Sequence, residues 1–175
     1  MNSSDFQIRK LDVNDEEKLF NFLHQQDLSD ANLYTRLRGI IGSEDKLRKF
    51  SHDECSIKEI EGERIIALYS EEISGLGLLD YFNNPEKKHV ALVGIIVDKK
   101  IRGKGLGKKL LSKIVDIGIQ KNIHKFRANV HEHNVSSMKM VKSLGFKEEG
   151  KFIDEEFDGQ FHNVVSLALF TKDHH

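Results

Sequence analysis

The sequence predicts an α/β domain, a mixed central β-sheet with helices on both faces in the order β-α-α-β-β-β-α-β-α-β-β. Three observations carry that expectation. Runs rich in Ile, Val and Leu at Ile65–Tyr69, Ile73–Phe82 and His89–Val97 are separated only by Ser70-Glu71-Glu72 and Asn83-Asn84-Pro85-Glu86, connections short enough for antiparallel hairpins. After Val97 the apolar period changes, with Leu106, Leu110, Leu111, Ile114 and Ile117 recurring every three to four residues, the spacing of a buried helix face. Beyond that helix the chain alternates again in pieces, from Lys125 to Val130 and from Phe146 onward, where Asp158-Gly159 marks a hairpin turn.

The remaining elements follow from local signals. Phe6-Gln7-Ile8-Arg9-Lys10-Leu11 alternates as a first strand, and Asn14 is placed to cap the amphipathic run Leu19, Phe20, Phe22, Leu23. From Leu28 to Phe50 helical spacing recurs in pieces, with Leu33, Leu37, Ile40 and Ile41 as one stripe and Leu47 and Phe50 as another. Asn134 offers an N-cap to a short helix that ends at Leu144-Gly145.

A length of 175 residues with 38% apolar and 31% charged residues is that of one water-soluble domain. No repeat, low-complexity block or linker divides it, so residues 1–173 are expected to form a single unit, with His174-His175 set aside as the stump of a purification tag. The longest apolar run, Val90–Val97, is too short to cross a bilayer, and the N-terminus has neither the basic start nor the apolar run of a secretory signal, so the expected location is the cytoplasm. A formal charge of −1 removes the general field that would draw the chain to nucleic acid or anionic lipid. The single cysteine, Cys55, cannot form an internal disulfide and has no evident base beside it.

The chemistry is concentrated between Val97 and Lys109. Gly103, Gly105 and Gly107 stand where a buried strand feeds a helix. A helix start presents amides without intrahelical acceptors, and glycines let an anion approach them, so a pyrophosphate would fit. Two phosphate motifs fail: no Gly-Lys-Ser/Thr completes a P-loop, and Lys108 occupies the third glycine position of a dinucleotide fingerprint.

Arg102-Gly103-Lys104-Gly105-Leu106-Gly107 resembles the acetyl-CoA signature of the GNAT superfamily of N-acetyltransferases, Arg/Gln-x-x-Gly-x-Gly/Ala after a hydrophobic strand. A second stretch, Asn134 through Leu144-Gly145-Phe146, is similar to that family's Asn, short helix and Leu-Gly-Phe ending, and Ile73-Ser74-Gly75 and Glu148-Glu149-Gly150 continue the likeness over residues 6 to 170. The resemblance implies a GNAT-like sheet and acetyl transfer from acetyl-CoA, as cosubstrate, to a primary amine: a small amine, a polyamine, or a protein N-terminus or lysine. It further implies that the backbone of Ile95, Ile96 and Val97 pairs with the pantetheine arm as an added strand. The amides from Arg102 through Gly103, Lys104, Gly105, Leu106 and Gly107 to Lys108 would hold the pyrophosphate, and Asn134 would sit beside the thiol arm, although an N-cap alone also accounts for that asparagine. A backbone N–H of Val97 or Ile96 is the expected oxyanion donor.

The family's usual proton donor to the thiolate is a tyrosine four residues before the Gly of the Gly-Phe pair, and here that position is Val141. A catalytically silent acetyl-CoA-binding module is therefore the alternative to an enzyme. Candidate catalytic side chains are His131, with His133 two residues on, and Glu72 and Tyr34 on the acceptor side; packing at a strand end accounts equally for the histidines. No third ligand of recognisable spacing makes a metal site. Asp154-Glu155-Glu156-Phe157-Asp158 reads either as a solvated turn or as an acidic rim that attracts a cationic amine. Dimerisation is frequent in the family, so a homodimer is a further expectation.

Overall fold

A computed structural model of the chain describes residues 6–27, 40–55 and 61–171. Its elements run β1 (Gln7–Lys10), α1 (Glu16–His24), α2 (Glu44–Cys55), β2 (Gly62–Tyr69), β3 (Glu72–Tyr81), β4 (Val90–Val97), α3 (Leu106–Gln120), β5 (Lys125–His131), α4 (Val135–Lys142), β6 (Lys147–Phe157) and β7 (Phe161–Phe170). The order is the expected one. Asn14 is not the first cap, however. Asp12 caps a 3-10 turn at Val13–Asp15 by accepting from Asn14 N–H, and the Asp15 carboxylate returns to Asp12 N–H. This capping box wins because Asp15, nearly buried, is also gripped by the two terminal nitrogens of Arg9 at 2.6 and 2.7 Å. Of the Leu28–Phe50 stripes, Ile41 and Leu47 are buried, while Leu33 and Leu37 lie outside the described residues.

Seven strands form one sheet in the spatial order β1-β2-β3-β4-β5-β7-β6. Every neighbouring pair is antiparallel except β4 with β5. Strand alternation divides the core in two. On β2, Ile65 and Ala67 face one cluster, built on Leu106, Leu110, Leu111 and Ile114 of α3, while Ile66 and Leu68 face the other, built on Leu19, Phe20 and Leu23 of α1 and Leu47 of α2. Thus α3 and α4 cover one face, and α1 and α2 the other.

The parallel β4–β5 pairing is three residues long, Val90↔Lys125, Ala91↔Phe126 and Leu92↔Arg127. Past Leu92 the two strands part. β4 stays paired with β3 as far as Val97, and β5 stays paired with β7 as far as His131. A sheet that divides in this way leaves backbone groups on the inner edges without ladder partners.

Candidate active site

Between β4 and α3, Asp98 accepts from Lys100 N–H at 2.8 Å and Ile101 is buried, which anchors the connection. Gly103 and Gly105 then take φ values of +78° and +81°, a left-handed conformation that L side chains rarely adopt. A Cβ at either would meet nothing within 4 Å, so the space before the helix is open. Gly107 has a different function: a Cβ there would lie 3.0 Å from Met140 Sδ, and its absence lets α3 begin close against α4. Gly105 is the N-cap and no side chain caps it. The first intrahelical bond runs from Lys109 N–H to Gly105 C=O at 3.1 Å. The amides of Leu106, Gly107 and Lys108 therefore have no intrahelical acceptor, and Lys104, Lys108 and Lys109 add positive charge around them. The residues present fit a diphosphate.

Next to this cradle, the backbone of β4 is oriented by two bonds. Asp98 N–H donates to the C=O of Ser74 on β3, and Val97 C=O accepts from Arg102 Nε at 3.0 Å. Backbone direction alternates along a strand, so Val97 and Ile95 turn their N–H and C=O groups toward the split, whereas Ile96 turns its own toward β3. Of the two oxyanion donors expected from sequence, only the Val97 amide points into the gap.

A cavity of about 570 Å³ occupies the split. Its lining includes Val93, Ile95, Leu111, Met140 and Val141 from the α3/α4 side, and Ile40, Phe50, Leu78 and Ile96 from the α1/α2 side. The cavity is thus lined from both faces of the sheet. Polar side chains gather at two ends: Asn129, His131, Asn134, Ser137 and Glu156 at the β5 end, and Glu54, Glu61, Arg64, Asp80, Tyr81 and Asn83 at the α2/β3 end. Asn134 caps α4, its side-chain oxygen accepting from Ser137 N–H at 3.0 Å, and it also lines the cavity, so the cap and the site share one residue. Arg64 binds Glu54 through Nε, Asp80 at 2.5 Å and the carbonyl of Leu79 at 3.2 Å. Burial opposes its charge, but the two carboxylates outweigh that and hold its pKa above the ordinary value.

The sequence candidates divide accordingly. His131 is 8% exposed at the end of β5, inside the cavity lining. Glu72 is exposed at the β2–β3 turn and is not among the lining residues, because the turn carries it past the end of the split. Tyr34 lies outside the described residues. Cys55 is 1% exposed and its thiol is pushed up to about 12 by burial, which removes it as a nucleophile. Val141 is buried and lines the cavity, an apolar side chain with no proton to give. Sequence reasoning missed Glu156 as an individual residue. It pairs with His131, Nε2 to Oε2, at 2.8 Å. The β6–β7 register jumps from Phe152↔Val164 to Glu156↔His162, and the bulge, with Asp154 at φ +53°, aims Glu156 back over β5.

The acetyltransferase (GNAT) family model matches residues 28–146. The chain belongs to the GNAT acetyltransferase family. That family is one of acetyl-CoA-dependent N-acetyltransferases. Among relatives, the chain is 35% identical over 102 residues to N-acetyltransferase 9-like protein of Nematostella vectensis, covering 54% of this chain and 50% of the relative. It is 33% identical over 87 residues to the [ribosomal protein uS5]-alanine N-acetyltransferase of Escherichia coli, covering 49% and 45%. The chain therefore spans about half the length of these two relatives. Among solved structures, a GNAT phosphinothricin acetyltransferase from Sinorhizobium meliloti, in complex with acetyl-CoA, superposes with a TM-score of 0.78 at 19% identity, covering 95% of this chain and 88% of that one. No described helix of this GNAT domain is long and apolar enough to cross a membrane.

Proposed function

We propose that this GNAT domain transfers the acetyl group of acetyl-CoA directly to a primary amine: a small amine, a polyamine, or a protein N-terminus or lysine. The observation that carries this reading is the split between β4 and β5, which sets the inward-turned backbone of Ile95 and Val97 beside the open N-terminus of α3. The amides of Gly105 through Lys108 take the diphosphate, with Lys104 or Lys108 supplying charge-assisted bonds. Ile95 and Val97 pair with the pantetheine amides as an added strand, and the Val97 N–H serves as the donor to the thioester oxygen. Asn134 borders the thiol arm while it caps α4. The acceptor enters from the α1/α2 side, where Glu54, Glu61 and Asp80 outnumber Arg64 and favour a cationic amine. Transfer without a covalent enzyme intermediate is supported by the burial of Cys55.

Val141 motivates the second reading, a silent module that binds acetyl-CoA without turnover. One experiment separates the two: CoA thiol release from acetyl-CoA with a panel of amines, beside thermal stabilisation by acetyl-CoA. Thiol release with at least one amine is expected. Stabilisation with no release across the panel would favour the silent module, and no stabilisation would remove both.

A further inference from the structure

We infer that His131 is the catalytic proton acceptor for the amine and that Glu156 is its positioning residue; this rests on the proposed acetyl transfer and adds to it. The placement follows from the parallel register. Lys125, Phe126 and Arg127 lie opposite Val90, Ala91 and Leu92, and continuing that order four residues past the last pair sets His131 across the split from Ile96, with both residues lining the cavity. The other cavity-lining groups that can take a proton are placed or occupied differently. Glu54 and Asp80 are bound to Arg64. Glu61 stands at the closed end of the gap, where its carbonyl accepts from Tyr81 N–H and Tyr81 pairs with Ala91.

The surroundings suit a group that changes charge. His131 Nε2 lies 2.8 Å from Glu156 Oε2. On its other side the His162 ring stacks on His131 at 5.1 Å and 11°, and His162 Nε2 is itself 2.6 Å from Asp158 Oδ1. The His133 ring lies 5.1 Å from that of His131. Among the described residues, Glu156 from β6, His162 from β7 and His133 after β5 lie against His131, and Asp158 from the hairpin turn binds His162.

In the reaction, an N–H bond of the arriving ammonium breaks and its proton passes to the His131–Glu156 pair, leaving an imidazolium beside a carboxylate. The freed lone pair bonds to the acetyl carbonyl carbon and the carbon–sulfur bond breaks. The second proton shed by the nitrogen ends on the departing thiolate.

The test uses the full chain and the best amine of the panel. His131→Gln is expected to lower kcat/KM for the amine on the order of 100-fold and to abolish the acid limb of its pH profile, with unchanged acetyl-CoA affinity by calorimetry. Glu156→Gln is expected to cost about 10-fold and to move the acid limb to lower pH, because the imidazolium loses the carboxylate that stabilises it; Glu156→Asp recovers part of the loss. Should His131→Gln misfold by circular dichroism, His131→Asn takes its place. Undiminished turnover with an intact acid limb in the folded His131 variant would overturn His131, and an unmoved limb in Glu156→Gln would overturn the positioning role, in both cases leaving acetyl transfer standing. A wild-type chain that releases no thiol with any amine would overturn the transfer reading and this assignment together.

Discussion

The two sides of the split sheet are built by different means. The α3 side is made of backbone: open amides, two left-handed glycines and the turned edge of β4. The α1/α2 side is made of side chains carried in from distant segments, Glu54 from α2, Arg64 from β2, Asp80 from β3, His131 from β5 and Glu156 from β6. A backbone site is the same whatever side chains surround it, and it suits the constant part of a reaction. A side-chain site changes with each substitution, and it suits the variable part, in the proposed reading the acceptor.

The contrast can be broken first at Arg64. Replacing it with Met leaves Glu54 with its charge in a largely buried position, so Arg64→Met should lower unfolding stability by about 3 kcal/mol, measured by urea denaturation. Acetyl-CoA affinity of the folded fraction should not change; a parallel loss of that affinity would mean that the two sides are not separable. Gly105→Asp should do the reverse. It forces a side chain into the left-handed conformation at φ +81° and brings a carboxylate to a phosphate site, and acetyl-CoA affinity by calorimetry should fall on the order of 100-fold in a folded protein.

A smaller effect comes with acid. The Arg9 guanidinium, through its hydrogen bonds, holds the Asp15 carboxyl below the usual range. A group depressed on folding stabilises above its unfolded pKa, near 3.9 for Asp, and loses that contribution as pH falls through the lower folded value. Hydrogen exchange between about pH 5 and 3 should therefore show α1 losing protection before α3, and Asp15→Asn should erase the difference. Equal loss in both helices would count against it. The smallest change is at Asn134, which both caps α4 and lines the cavity. Asn134→Ala should cost about 1 kcal/mol through the lost cap, and Asn134→Ser should restore stability in thermal melts. A residual defect in acetyl-CoA affinity of the serine variant is expected if Asn134 also borders the thiol arm as proposed, and wild-type affinity would remove that role.

The same division decided what could be read from sequence. The glycine cradle was legible because Gly103, Gly105 and Gly107 act through their own local conformation and packing next to a periodic helix. Element order was legible because strands and helices announce themselves by period, and the hairpin at Asp158-Gly159 is where the sequence put it, with Gly159 at φ +107°. Asn134 was legible as a cap and is one. Glu156 was not. β7 is last in the chain yet inserts between β5 and β6, and the bulge after Phe152 removes the alternation from which a side chain's direction would be inferred. His162 and Asp158 were hidden by the same crossover. Asn14 was mistaken for the cap because only the contact with Arg9 shows that Asp15, and through it Asp12, governs that turn.

The three-residue seam joining β4 to β5 has a kinetic consequence. On the proposed reading, acetyl-CoA lies at the α3/α4 side of the split and the amine arrives from the α1/α2 side, so neither substrate blocks the other's route. CoA should then inhibit competitively against acetyl-CoA but not against the amine, and neither substrate need bind first.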